Sequence, residues 1–282
     1  MVIKMNEFIE ILKFIVLGII QGVAEVFPVS SSGHLSIFSK IFGVNQDSLT
    51  IFLMITNAGS FLALLIFFRK KIIVLIKNSY SYIFRKKTSS TEEVIENKES
   101  FTYVLKLLIA AIPIGIAGLL FKNHLEAFDS LVGVGVALIV TSVLLFIIFM
   151  IRNINFTNTI TYKRALVIGL FQAFAVFPGI SRSGITIFGG LTQKVKLKEV
   201  LNFTFLCYII VSVPVTILGI IDCFNTTEEI NILGYSLAFI FSFAATLATI
   251  KVLFKAVSVK NLLFFSIYCL LIGVTACILA FV

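Results

Sequence analysis

The chain has no tryptophan, two histidines and four prolines in 282 residues, and charged residues make up only 13% of it. Each shortage excludes something. A water-soluble domain carries about 25% charged residues and about 45–50% apolar ones. Here the apolar share is 59% and the mean hydropathy +1.08, so a soluble core of this size would not hide the apolar surface. Without tryptophan, an interfacial aromatic belt falls to the seven tyrosines. Two histidines and four cysteines (Cys207, Cys223, Cys269, Cys277) show no metal-ligand spacing, and three of the cysteines sit inside apolar runs, which makes them packing residues. The first apolar run is interrupted by Gln21 and Glu25 and lacks a small-residue cleavage site, so it does not read as a cleaved signal.

What remains is the pattern of an all-α integral membrane protein, a single membrane domain over 1–282. Six runs have the roughly 20 apolar residues of a spanning helix: 49–68, 101–121, 130–151, 200–221, 232–253 and 262–282. Two others, 8–42 and 165–191, hold proline, glycine and hydroxyl residues mid-run and do not read as simple spans. The net charge of +9 is distributed as the positive-inside rule requires. Arg69, Lys70, Lys71, Lys77, Arg85, Lys86, Lys87 and Lys98 place a loop of about 69–100 in the cytoplasm, with Thr88–Ser100 expected to be mobile. Arg152, Lys163 and Arg164, then Lys194, Lys196 and Lys198, then Lys251, Lys255 and Lys260 fall on the same side. Asp222, Glu228 and Glu229 fall on the other. No basic folded module is present, so no nucleic-acid partner is expected.

The second irregular run starts and ends on the inside, which makes it re-entrant. Non-helical backbone at that depth needs protein or water around it. The first run resembles it: Gly18, Gln21, Phe27-Pro28 and Ser30-Ser31-Ser32-Gly33 match Gly169, Gln172, Phe177-Pro178 and Ser181-Arg182-Ser183-Gly184 with a one-residue gap. Three spans follow each copy, an odd number, so the second copy is inverted. The expected architecture is two inverted-topology repeats, about 8–151 and 162–282, each a re-entrant helical hairpin plus three transmembrane helices. For 8–27 a full span is the alternative.

The two motifs concentrate polar chemistry at membrane depth. Gln21 and Glu25 share a helix face four residues apart. Ser30, Ser31 and Ser32 precede Gly33 and His34, and Ser181 or Ser183 can cap a half-helix carrying Arg182 and Thr186. Free amides, hydroxyls and a guanidinium form an oxyanion cradle. Plainer readings exist: a structural Glu25–Arg182 bridge, an interfacial His34, packing serines, a snorkelling arginine. Intramembrane ionisable groups are costly and functional by default, and together these residues are the parts of phosphoryl transfer. His124, beside Glu126 in a short loop, reads as functionless.

On these residues the chain resembles the bacterial undecaprenyl-diphosphate phosphatase family of the bacitracin-resistance type, through Gln21-Gly-Val-Ala-Glu25-Val-Phe-Pro28-Val-Ser-Ser-Ser-Gly-His34 and Pro178-Gly-Ile-Ser-Arg-Ser-Gly-Ile-Thr186. The resemblance covers essentially the whole chain. It implies hydrolysis of a C55 polyprenyl diphosphate to the monophosphate and inorganic phosphate. That recycles the lipid carrier for cell-wall synthesis and confers bacitracin resistance. It also implies a divalent cation (Mg2+ or Ca2+), the bacterial plasma membrane, and a site facing outside. Matched residue by residue, Glu25, Ser31, His34 and Arg182 are the catalytic candidates and Glu25 the candidate metal ligand. Gln21, Ser30, Ser32, Ser181, Ser183 and Thr186 are phosphate-binding candidates. Ser31, His34 or water is the nucleophile. The chain departs from the family at Asn57, where a Gln is expected, at Gln21, where some members carry a second Glu, and at Val176, where the repeat would place an acid. Partners are the polyprenyl diphosphate and membrane lipids, with a homo-oligomer left open. The alternative from another class is a transporter or lipid flippase using the same pocket without hydrolysis.

Overall fold

Long apolar runs leave the backbone no water to bond to, and a helix satisfies every N–H and C=O within its own segment. The computed structural model obeys that constraint. It describes residues 2–44, 49–84, 90–121, 124–152, 156–225 and 231–281. Among them the helices are α1 (Val2–Val26), α2 (Ser31–Phe42), α3 (Leu49–Ile83), α4 (Thr91–Phe121), α5 (Leu125–Phe128), α6 (Leu131–Met150), α7 (Tyr162–Ala173), α8 (Arg182–Thr192), α9 (Leu197–Asn225), α10 (Ile232–Ala256) and α11 (Leu262–Leu279). Arg85, Lys86, Lys87, Glu228 and Glu229 lie outside the described residues, as do the side chains of Glu126, Asp222 and Cys223.

Among the described residues, six helices are long and apolar enough to cross a bilayer: α3, α4, α6, α9, α10 and α11. They coincide with the six expected spans, so the protein is an all-helical, multi-pass membrane protein. Its surface is apolar: Ile112, Ile116 and Leu119 of α4, Val143 of α6 and Leu271 of α11 all face outward. Its interior is partly polar. Ser60, Ser242 and Thr246 form a buried hydroxyl chain between α3 and α10, and Ser142 bonds Ser266 between α6 and α11. Small hydroxyl residues of this kind hold membrane helices together where no hydrophobic force between helices exists.

The 69–100 loop differs from expectation. Helix α3 continues fifteen residues past Phe68 because no glycine or proline interrupts the chain there. Residues 91–100, expected to be mobile, form the start of α4. The Ser90 hydroxyl accepts the Glu93 N–H at 3.3 Å, and Glu92 and Glu93 lie at the helix's positive end. Asn78 of α3 donates to Glu96 and Ser100, and Tyr82 stacks on Phe101 at 5.1 Å. These contacts supply the partners that a charged, isolated segment would lack.

The two polar runs become helix–break–helix hairpins. Helices α7 and α8 have 12 and 11 residues, about 18 Å and 17 Å long, too short for a core of about 30 Å. The two ends of this hairpin are stitched together: Thr157 N–H donates to Lys194 O and Lys196 N–H to Thr157 O, both at 2.8 Å. The segment therefore enters and leaves at one face. In the first half, α1 has 25 residues and α2 has 12. The Lys13 ammonium donates to Phe42 O, so the end of α2 returns beside the body of α1.

Helix partners exchange between the halves. Gly18 of α1 lies against Ala238 of α10, and Gly169 of α7 against Ala110 of α4, each so close that a Cβ would meet backbone within 2.4–2.6 Å. Helix α3 runs antiparallel to α9, with Met54 beside Gly219 and Phe68 on Phe205. It runs parallel to α10, with Ser60 on Ser242 and Phe67 on Phe254.

Candidate active site

The two breaks meet. Pro28 ends α1 and forces an elbow at Val29–Ser30; Pro178 and Gly179 do the same before α8. Gly179 has φ 91° and lies against Val134 and Ala137 of α6, where a Cβ would meet both within 2.8 Å. Only glycine takes that backbone without strain. Its N–H donates to the Ser32 hydroxyl at 3.4 Å, and Ser183 Oγ donates to the Phe27 carbonyl at 3.2 Å. Two motifs nearly 150 residues apart are thereby fused into one loop cluster.

Each serine run caps a helix. Ser30 Oγ accepts the Gly33 N–H (3.2 Å) at the start of α2, and Ser181 Oγ accepts the Gly184 N–H (3.1 Å) at the start of α8. Ser181 N–H donates to Thr141 Oγ1 of α6 at 3.1 Å. A cavity of about 290 Å3 opens beside the breaks. It is lined by Gln21, Glu25, Ser30, Ser31, Ser32, Ser181, Arg182 and Ser183, with Asn57 and Met54 of α3, Val215 of α9 and the Val176–Pro178 turn.

Inside it, Glu25 Oε2 accepts two short bonds, from Ser31 Oγ at 2.6 Å and from Gln21 Nε2 at 2.9 Å. Arg182 is held differently. Its guanidinium lies over the Tyr208 ring, 4.7 Å from the centroid, and its Nε and Nη1 are buried without a hydrogen-bond partner. A buried cation with unmet donors is costly, and the same side chain lines the cavity. Tyr208 is fixed in turn by Asn57, whose Oδ1 accepts its hydroxyl at 2.6 Å.

Eight of the ten residues singled out in the sequence line this cavity; His34 and Thr186 do not. Thr186 Oγ1 donates to the carbonyls of Arg182 and Ser183 within its own helix. His34 is buried behind the serine run. Its Nδ1 lies 2.7 Å from Ser30 O and its Nε2 2.7 Å from the Tyr268 hydroxyl of α11. Tyr208 and Tyr268 escaped the sequence reading, because a lone tyrosine in an apolar span has no local signal. Asn57 was noticed only as a departure from the family pattern. Cys207 and Cys269 are buried among the helices and His124 is exposed, in keeping with packing and surface roles.

A hard divalent cation takes six or more oxygens. Among the described residues no three His, Cys, Asp or Glu side chains cluster. The cavity offers one carboxylate, Glu25, and the neutral oxygens of Gln21 and the serines. That set fits a cation brought partly ligated by phosphate and does not form an all-protein cage.

The family comparison decides the class. Residues 14–275 match the family described as bacitracin resistance protein BacA. The chain belongs to this BacA family. It is 52% identical over 276 residues to the undecaprenyl-diphosphatase of Acholeplasma laidlawii, covering 96% of this chain and 98% of the relative. It is 37% identical to undecaprenyl-diphosphatase 1 of Bacillus licheniformis, over 97% of this chain and all of the relative. Undecaprenyl-diphosphatase 1 of Bacillus cereus strain ATCC 14579 is 36% identical over 96% of this chain. In this member of the BacA family, the matched region contains α1 from residue 14 onward, α2, the whole α7–α8 hairpin and every cavity residue.

Proposed function

We propose that this chain is an undecaprenyl-diphosphatase: it hydrolyses the polyprenyl diphosphate to the monophosphate and inorganic phosphate, and so recycles the lipid carrier for the cell wall. The observation that carries the reading is the pairing of Ser31 Oγ and Glu25 Oε2 at 2.6 Å, in a cavity where Arg182 has buried, unmet donors. A hydroxyl held on a carboxylate is an activated nucleophile. The buried guanidinium is the natural clamp for a phosphoryl group. The cavity of about 290 Å3 suits a diphosphate head group and leaves the polyprenyl tail in the bilayer.

The proposed steps use the residues that line the cavity. Arg182, Ser181, Ser183 and the amides at the start of α8 hold the diphosphate oxygens. Glu25 accepts the Ser31 proton as Ser31 Oγ bonds to the terminal phosphorus and the bridging P–O bond breaks. Glu25 passes that proton to the departing lipid monophosphate. It then takes a proton from water as water attacks the phosphoserine, and returns it to Ser31 as inorganic phosphate leaves. Mg2+ or Ca2+ held against Glu25 and Gln21 would neutralise charge on the diphosphate.

We also infer that the two halves are inverted repeats, supported by the exchanged helix partners and the antiparallel α3 and α9. The cavity lining includes Met54, near the start of α3, and Val215, toward the end of α9. Those ends lie opposite the basic loops, which supports a site open to the outer face of the plasma membrane. Purified protein in detergent should release inorganic phosphate from a polyprenyl diphosphate, and Glu25→Gln or Arg182→Ala should abolish it. Release undiminished in either variant would overturn the reading. No release from the wild type would favour the transporter alternative, which breaks no bond.

A further inference from the structure

One residue of the first motif stands outside the cavity yet has both of its polar side-chain atoms engaged. His34 is buried, its ring stacked on Tyr268 at 5.5 Å and 6°. Both ring nitrogens are engaged within the protein. A carbonyl oxygen only accepts, so Nδ1 carries the proton and donates to Ser30 O; Nε2 is then the acceptor of the Tyr268 hydroxyl. Ser30 is the residue held in this way, and it has φ 70° and ψ 98°. Positive φ is uncommon for any residue but glycine, and such backbone persists only where the surroundings over-determine it. The carbonyl that His34 grips belongs to the Ser30–Ser31 peptide. Its orientation decides where Ser31 Oγ points, and Ser31 Oγ points at Glu25.

We propose that His34 is a positioning residue, and that with Tyr268 it braces the strained Ser30 turn that aims Ser31 at Glu25. It takes no proton from the substrate and donates none to it. Ser30 O also accepts the His34 main-chain N–H at 3.2 Å, so the side-chain bond locks a carbonyl already inside the first turn of α2. Tyr268 comes from α11 in the second half, so the brace ties the first motif to the far end of the chain. Ser36, further along α2, donates to Asp129 at 2.7 Å and does not line the cavity.

This inference rests on the diphosphatase reading for its kinetic arm and stands apart from it in its thermal arm. In detergent, His34→Ala should lower kcat for phosphate release about 10- to 100-fold, as a misplaced nucleophile does. KM should change little, and the limbs of the pH–rate profile should stay where the wild type has them. Tyr268→Phe should lower kcat in the same direction by less. The double variant should be no worse than His34→Ala, because Tyr268 acts only through the ring. Adding Ser30→Gly to His34→Ala should recover part of kcat, since glycine takes φ 70° unaided and is a tolerable N-cap. The melting temperature in detergent, which needs no turnover, should fall in His34→Ala and rise again with Ser30→Gly. A lost pH limb in His34→Ala, additive losses in the double variant, or no recovery of either kcat or melting temperature with Ser30→Gly would overturn the proposal. Failure of the wild type to release phosphate would overturn the function alone, and the thermal arm would still decide the brace.

Discussion

The guanidinium carbon of Arg182 sits 4.7 Å from the centre of the Tyr208 ring, and the Tyr208 hydroxyl donates to Asn57 Oδ1 at 2.6 Å. A cation held over an aromatic face keeps its in-plane donors free, so the ring holds the arginine without competing for the bonds a phosphate would use. Tyr208→Leu should therefore cost about 30-fold in kcat/KM for phosphate release, corresponding to about 2 kcal/mol for a desolvated cation–π contact. Tyr208→Phe keeps the ring and loses only the Asn57 tether, and its loss should be severalfold. Equal losses in the two variants would show that the hydroxyl, and not the ring, holds Arg182.

Arg182 itself should not tolerate lysine. The unmet Nε and Nη1 are two donors of one planar fork, and an ammonium is a point charge on a flexible stem. Arg182→Lys should lose about 100-fold or more in kcat/KM, since bidentate contacts to phosphate oxygens are the strong kind. The check is phosphate release across a range of substrate concentrations, with folding confirmed by an unchanged melting temperature.

Gln21 should set the cation dependence. Its Nε2 donates to Glu25 Oε2 at 2.9 Å. In Gln21→Glu that donor becomes a second carboxylate, which repels Glu25 unless a cation lies between them. The variant should lose activity in chelator more completely than the wild type. It should also reach half-maximal rate at lower Mg2+ or Ca2+. A cation titration of phosphate release reads both, and identical titrations would remove Gln21 and Glu25 from the cation site.

Gly179 should resist even the smallest side chain. Its φ is 91°, and an added Cβ would approach Val134 O and the Ala137 Cβ to 2.8 Å. Gly179→Ala should destabilise the fold by about 2 kcal/mol or more, combining backbone strain with the contact against α6. Gly115, inside α4, has nothing within 4 Å of where its Cβ would stand, and Gly115→Ala should be neutral or slightly stabilising. Melting temperatures of the two variants in detergent make the comparison.

The six spans were legible because apolar length alone identifies a spanning helix. The polar interruptions were legible because a bilayer interior tolerates Glu25 and Arg182 only where protein surrounds them. The helical extension of α3 and the start of α4 were missed. A Lys- and Glu-rich stretch has no periodic apolar face, and its order comes from Asn78 and Tyr82 meeting Glu96, Ser100 and Phe101 across the two helices. Tyr208 and Tyr268 were missed for a related reason. Their roles depend on partners 26 positions distant at Arg182 and 234 positions distant at His34, and local spacing carries no trace of such pairs.

By itself the sequence determined which segments lie in the bilayer, which face is basic, and which polar residues are held at depth, since composition and charge act locally on the chain. The division of labour among those polar residues was decided only by tertiary structure. His34 and Ser31 are three positions apart in one motif, and nothing in their order says which faces the cavity. That follows from the α2 face that meets α11, where Tyr268 takes the His34 ring, and from the face that meets α1, where Glu25 takes Ser31. Residues three apart lie on neighbouring parts of one helix surface, and only the helices packed against it decide which of them reaches the site.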